Sequence, residues 1–182
     1  MVEPLRADAR QNRARIIEVA RDALTTANDA SLNSIAKKAG VGPGTLYRHF
    51  PTREALILAV YRHEVERLAA HAPQLLAEHP PLRALRLWLD RLAYYGRIKH
   101  GVADLLHALT DDGLADETYR LIVGALALLL RACVDAGDVR ADVDPDDVLL
   151  MLGFLWRVGP GADGEARAAR LLDLVIAGLS PA

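Results

Sequence analysis

Apolar residues recur at spacings of three and four along almost the whole chain, and this helical period limits its possible folds more than any other feature. Between Asn12 and Ala27, for example, Ile16, Ala20 and Leu24 fall on one helical face. No segment of convincing length alternates apolar and polar residues as a strand does, and no internal repeat is present. Ala and Leu dominate the apolar set and β-branched residues are sparse. We therefore predict an all-α fold with about nine helices.

Capping residues, glycines and prolines set the expected ends of these helices. Thr52 is expected to cap the fourth helix and Pro73 to end it, and Pro80-Pro81 to break the chain again. The stretch Leu121–Leu130 is apolar on nearly all sides, which predicts a buried helix. The predicted helices cover residues 12–27, 32–39, 43–50, 53–72, 82–99, 102–110, 115–136, 145–156 and 165–179.

Composition excludes several classes of protein. Of the 182 residues, 52% are hydrophobic and 25% charged, so the chain can bury a core and is not disordered throughout. The uninterrupted apolar runs, such as Ala55–Tyr61 and Ala125–Leu130, are far shorter than the roughly 20 residues that cross a bilayer. The first residues lack the apolar core of a signal peptide. We expect a soluble, cytoplasmic protein with no membrane partner.

Neither a metal site nor a catalytic site is predicted. His100, Asp104, His107 and Asp111 fall on one helical stripe, but ligands spread so far along a helix cannot all reach one ion. The single cysteine, Cys133, rules out an internal disulfide and is expected to be a small buried residue. Because the histidines are scattered and no glycine-rich strand-turn-helix is present, we predict no enzyme activity, no metal and no cofactor.

The chain has a basic first part and an acidic remainder. Up to Arg53 there are 9 Lys/Arg against 5 Asp/Glu, and after it 13 against 19. In the basic part, two short helices are joined by a glycine turn, which is the geometry of a helix-turn-helix. Ser31 is expected to cap the first of them, Gly40 to supply a positive φ, and Gly42 and Pro43 to start the second. An anionic partner such as DNA is expected here.

The residues of this segment resemble a known family. Residues 31–56, SLNSIAKKAGVGPGTLYRHFPTREAL, closely resemble the DNA-binding signature of tetracycline-repressor-like (TetR family) transcriptional regulators, and the likeness extends over residues 12–61. It implies an N-terminal DNA-binding domain, residues 1–68, with the helix-turn-helix at 31–50 and the fourth helix as a connector. The remainder, 69–182, is then an effector-binding and dimerisation domain.

The resemblance also implies which residues contact DNA. Tyr47 matches a position that usually contacts a phosphate, whereas Pro43, Gly44 and Arg48 match positions that vary with the operator. Gly42 departs from the family pattern, in which a serine cap is common, although glycine caps nearly as well. The predicted DNA-binding residues are Ser31, Asn33, Pro43, Gly44, Thr45, Tyr47, Arg48, His49 and Arg53.

By the same resemblance, the protein is expected to be a repressor that binds a near-palindromic double-stranded DNA operator and is released by a small apolar or aromatic effector. Trp88, Tyr95 and Trp156 are the predicted effector-binding residues. A homodimer is expected through the last two predicted helices, 145–156 and 165–179, because their apolar residues exceed what one small domain can bury.

Two alternatives stay open at this point. The chain could be a helical protein-interaction module whose DNA-binding head no longer reads sequence, although the basic charge and the polar face around Tyr47 argue against that loss. A winged-helix regulator would place strands after Phe50, where the sequence predicts a long helix. In every case Ile35, Ala36, Leu46 and Phe50 are expected to be core residues.

Overall fold

The computed structural model describes residues 3–26, 31–100, 114–159 and 161–181. Over these ranges the chain forms α-helices and one 3-10 helix, with no strand, so the all-α prediction is confirmed. The helices are α1 (Glu3–Thr26), α2 (Leu32–Lys38), α3 (Pro43–His49), α4 (Arg53–Glu78), α5 (Pro81–His100), α6 (Leu114–Asp135), α7 (Pro145–Met151), the 3-10 helix (Leu152–Arg157) and α8 (Ala162–Leu179). The helix predicted at 102–110 lies outside the described residues, as do Asp104, His107 and Asp111. Only the backbone of His100 is described.

The described residues divide into two compact units, one that runs to His63 and one that starts at Glu64. Both residues belong to α4, which therefore contributes to each unit. The domain boundary that the sequence predicts, after residue 68, lies in the same helix and stays a prediction.

The first unit is built around one small apolar cluster. Its centre is formed by side chains of α1, α2, α3 and the start of α4, all nearly inaccessible to solvent: Ile16, Ile17, Ala20, Ala23, Ile35, Ala36, Ala39, Leu46, Phe50, Leu56 and Val60. The predicted core residues Ile35, Ala36, Leu46 and Phe50 are thus confirmed, each at most 2% exposed. At the edge of the cluster, His63 Nε2 lies 3.1 Å from Glu18 Oε1 and ties α4 to α1.

The second unit is organised around α5, which packs against α6, the 3-10 helix and α8. Trp88 of α5 is fully buried, and its indole N–H donates a 2.8 Å hydrogen bond to the Leu68 carbonyl of α4. Cys133 of α6 is buried as expected, and burial raises the pKa of its thiol to about 11. A thiol in that state is largely protonated at neutral pH and serves as a packing residue.

Two helices extend beyond their predicted ends. α1 begins at Glu3 rather than at residue 12. α4 continues through Pro73 to Glu78, so the predicted break at this proline is wrong. Proline disfavours a helix interior because it lacks a backbone N–H and its ring crowds the preceding turn. Here the ring of Pro73 is exposed, and Ala72 and Leu75 beside it are buried, so packing holds the helix on both sides of the proline.

The last two predicted helices also differ from the structure. The segment 145–156 is not one α-helix, because it changes to a 3-10 helix at Leu152. Its buried residues Leu152 and Leu155 are three apart, a spacing that the three residues per turn of a 3-10 helix keep on one side. α8 begins at Ala162, three residues before the predicted start at residue 165.

The apolar helix α6 is buried on one side only. Leu126 and Leu129 are fully buried, as the sequence predicts, but Leu128 between them is 44% exposed. Within the described ranges, no helix combines the length and the apolarity that crossing a membrane requires.

The turn at Gly40 yields a direct test of this fold. Gly40 has φ +66°, where an added Cβ is disfavoured whatever the space around it. We expect Gly40→Ala to lower the free energy of unfolding by about 1–2 kcal/mol. Gly44→Ala is the matched control, because Gly44 is helical and has open space around it. We expect this variant to have a free energy of unfolding up to about 1 kcal/mol higher than that of the unaltered protein. Urea unfolding followed by circular dichroism measures both, and equal stability of the two variants would contradict the turn geometry.

Candidate nucleic-acid interface

The start of α2 is fixed by a reciprocal pair of serines. The Ser31 hydroxyl oxygen accepts a hydrogen bond from the Ser34 backbone N–H at 3.2 Å, and the Ser34 hydroxyl donates to the Ser31 carbonyl at 2.8 Å. Ser31 is therefore the N-cap that the sequence predicts. Asn33 follows it on the exposed side of the helix, and Lys37, one turn further along, is exposed as well.

The turn between α2 and α3 is a Schellman motif. Gly40 N–H donates to the Lys37 carbonyl at 3.2 Å, and Val41 N–H donates to the Ala36 carbonyl at 3.0 Å. The positive φ of Gly40 makes both bonds possible, as predicted. Val41 then packs against the core cluster of the first unit, which fixes the angle at which the chain enters α3.

Two buried side chains determine which side of α3 is exposed to solvent. Leu46 and Phe50, four residues apart, are buried in the core cluster and hold one side of the helix inward. Gly42 is its N-cap, with φ −69° and ψ 148°, and Pro43 occupies the first helical position, both as predicted. The residues between Leu46 and Phe50 are thereby turned away from the core, and Tyr47 is 44% exposed.

All of the predicted DNA-binding residues lie at the surface of the first unit. Ser31, Asn33, Pro43, Gly44, Tyr47 and Arg48 are exposed, whereas Thr45, His49 and Arg53 are partly exposed. At Gly42 and Gly44 an added Cβ would meet no atom, so the start of α3 offers open space for another molecule to approach. The His49 ring lies beside that of Phe50, with 6.2 Å between their centroids.

The surface formed by α2, α3 and the start of α4 is basic. Between residues 31 and 53 the chain has four Lys/Arg, namely Lys37, Lys38, Arg48 and Arg53, and no Asp or Glu. No carboxylate in the described part of the chain pairs with Lys37, Lys38 or Arg48. Uncompensated positive charge of this kind attracts polyanions.

The structure adds two α1 arginines that the sequence did not assign to the site. The Arg13 guanidinium lies 5.4 Å from the centroid of the Phe50 ring, in cation–π geometry. The Arg15 Nη1 atom lies 3.9 Å from the position that a Cβ on Gly40 would occupy. Both side chains are exposed. The basic character of α1 was visible in the sequence, but their proximity to the α2–α3 segment depends on the packing of α1.

The start of α4 is held by Thr52. Its hydroxyl oxygen accepts a hydrogen bond from the Ala55 backbone N–H at 3.1 Å, as the sequence predicts for this cap. Hydrogen bonds from the Glu54 backbone N–H and from the Thr52 hydroxyl hold the pKa of the Glu54 carboxyl below its ordinary value, and the nearby Arg53 acts in the same direction. These contacts fix the backbone that carries Arg53.

The predicted effector-binding residues have different surroundings. Trp88 is fully buried, and its N–H group is committed to the Leu68 carbonyl. Tyr95, although only 5% exposed, lines a cavity between α4 and α5. The side chain of Trp156 lies outside the described residues.

Two sequence families match the chain. The family described as "Bacterial regulatory proteins, tetR family" matches residues 16–60, which contain α2 and α3. The family described as "Transcriptional regulator SbtR-like, C-terminal domain" matches residues 80–181, more than half of the chain. The chain belongs to the TetR family. The predicted class, a transcriptional regulator with a helix-turn-helix, is therefore confirmed.

Solved structures of other TetR regulators are similar over nearly the full length. A TetR transcriptional regulator from Streptomyces coelicolor is 44% identical, with 93% of this chain and 98% of that chain covered and a TM-score of 0.80. A TetR regulatory protein from Mycobacterium vanbaalenii is 35% identical, with 98% and 100% covered and a TM-score of 0.77. An HTH-type transcriptional regulator of Staphylococcus aureus is 33% identical over 99 residues, 53% of each chain. The chain thus spans about half the length of the curated relatives it matches.

Proposed function

We propose that this TetR-family chain is a sequence-specific DNA-binding repressor in the cytoplasm, and that it is a regulator rather than an enzyme. The observation that carries the proposal is which side of α3 is exposed. Because Leu46 and Phe50 are buried, Tyr47 and Arg48 lie on the side turned away from the core. A helix held in this way can enter the major groove with its polar side toward the bases.

The proposed contacts separate into two groups. Tyr47, Ser31, His49 and Arg53 would contact phosphates, which position the protein without reading sequence. Arg48, Thr45 and Asn33 would reach base edges, with support from the close approach that Pro43 and Gly44 allow. Arginine is suited to guanine because its guanidinium can donate two hydrogen bonds to O6 and N7.

The proposed active form is a homodimer through 145–156 and 165–179, the predicted dimerisation segments. Large apolar side chains on both segments are exposed in the single chain: Leu150 by 79%, Met151 by 53% and Leu174 by 68%. In a two-fold symmetric dimer, these side chains of both protomers would be buried at the interface. The same symmetry would place two copies of α3 on a near-palindromic operator.

A small effector bound in the second unit would release the repressor from its operator. α4 supports this proposal, because one continuous helix carries both the Thr52-capped start near Arg53 and the residues that line the cavity beside Tyr95. An effector that binds more tightly to the released conformation than to the DNA-bound one weakens DNA binding. The loss of DNA-binding free energy is at most the difference between the effector's binding free energies for the two conformations. An apolar or aromatic effector near Trp88, Tyr95 and Trp156 remains the expectation from the sequence.

The roles of Tyr47 and Arg48 can be separated on an operator obtained by selection from random-sequence DNA. Tyr47→Phe removes one phosphate hydrogen bond, so we expect binding to weaken about tenfold on matched and mismatched operators alike. Arg48→Ala should weaken binding to the matched operator by about 1–3 kcal/mol and relax preference at one base pair. Fluorescence anisotropy measures both variants. Equal losses on matched and mismatched operators for Arg48→Ala would contradict its proposed role, and binding of the unaltered protein that ignores sequence would favour the protein-interaction alternative.

The proposed dimer predicts the effect of a charge at Leu174. Leu174→Glu would bury one unpaired carboxylate in each protomer. We therefore expect the free energy of dimerisation to become less favourable by about 2 kcal/mol per carboxylate. Sedimentation velocity at micromolar concentration should then show a monomer. Leu128→Glu is the matched control, because Leu128 is similarly apolar and 44% exposed but lies on α6, outside the predicted dimer segments. A Leu174→Glu variant that sediments as a dimer would contradict the proposed interface.

A further inference from the structure

A half-open cavity of about 160 Å³ lies within the second unit, between α4 and α5. α4 contributes Arg67, Leu68 and His71 to its lining, and α5 contributes Arg91, Tyr94 and Tyr95. Effector cavities for drug-sized ligands are typically about 300–1,000 Å³. This cavity therefore suits a much smaller molecule, of the size of a single ring.

The cavity has more positive than negative charge. Arg67 Nη1 lies 3.5 Å from Glu64 Oε1, also in the lining, so this cation is balanced by a carboxylate. Arg91 is exposed on α5, and no carboxylate of the described residues forms an ion pair with it. One cationic group on the cavity wall is thus left for a ligand.

The surroundings of His71 in the cavity lining favour its neutral form. Burial lowers the pKa of its imidazole, and Arg91 and Arg67 lower it further, against an opposing effect of Glu78. His71 is therefore largely neutral near neutral pH and can donate or accept a hydrogen bond.

The remaining lining is suited to a flat ring. Tyr94 is 52% exposed, whereas Tyr95 next to it is only 5% exposed, and Leu68 adds an aliphatic surface from α4. Aromatic rings pack well against tyrosine rings and aliphatic side chains. A guanidinium and a carboxylate are both planar and can form two parallel hydrogen bonds.

We propose that the α4–α5 cavity binds a single-ring aromatic carboxylate, with its carboxylate on Arg91 and its ring against Tyr94 and Tyr95. This inference rests on the proposed function, since such a ligand would be the effector, and it narrows the effector from apolar or aromatic molecules to aromatic anions. Leu68 connects the cavity to the core, because its carbonyl accepts the Trp88 N–H.

The test compares benzoate with benzamide, which has nearly the same shape and no charge. Saturation-transfer NMR on the full chain, without DNA, gives the dissociation constant of each probe. We expect benzoate to bind at least about tenfold more tightly than benzamide, because a charge-assisted pair is stronger than a neutral hydrogen bond. Arg91→Met should remove this preference. Arg83→Met is the matched control, because Arg83 is exposed on the same helix but does not line the cavity.

Three results would overturn the proposal: no benzoate binding at millimolar concentration, equal binding of benzoate and benzamide, or the same loss in the Arg83→Met variant as in Arg91→Met. Inorganic phosphate serves as a further probe, and binding of phosphate without benzoate would also overturn it, since the ring would then contribute nothing. Thermal unfolding checks that both variants fold. Because the measurement contains no DNA, its failure is distinct from a failure of operator binding.

Discussion

The burial of Leu46 and Phe50 is the contact on which the first unit depends. Leu46 belongs to α3 and Phe50 is the residue that follows its end, and both lie in a core cluster formed with α1, α2 and the start of α4. Their inward position decides which residues of α3 point outward, and this outward set is the one that the TetR resemblance assigns to DNA. Stability and proposed function therefore use opposite sides of the same short helix, which is too short to be stable alone.

Local signals in the sequence were sufficient for the helix-turn-helix. Ser31, Gly40 and Thr52 each act within a few residues of the chain, through a cap or a left-handed turn, so their roles can be predicted without knowledge of tertiary contacts. The positions of Leu46 and Phe50 likewise follow from helical spacing. The placement of Arg13 on Phe50 could not be predicted, because it depends on how α1 crosses α3.

The errors arose where packing overrides local preference. Pro73 has the local signature of a helix end, but buried residues on both sides of it keep α4 continuous. In the segment after Met151, the three-residue spacing of Leu152 and Leu155 was present in the sequence, although the helical prediction assumed 3.6 residues per turn. Of the residues that line the α4–α5 cavity, the sequence predicted only Tyr95 as effector-binding, since Arg67 and Arg91 line one cavity only when the two helices pack.

The central claim is tested most directly by letting the purified full chain select DNA from a random-sequence pool. The affinity for the selected sequence is then measured with and without about 200 mM added salt. We predict enrichment of a near-palindrome with half-sites one or more helical turns apart, and an affinity at least about a hundredfold weaker in the added salt. A pool without an enriched motif, or binding that does not respond to salt, would contradict the account of α3 as a sequence-reading helix.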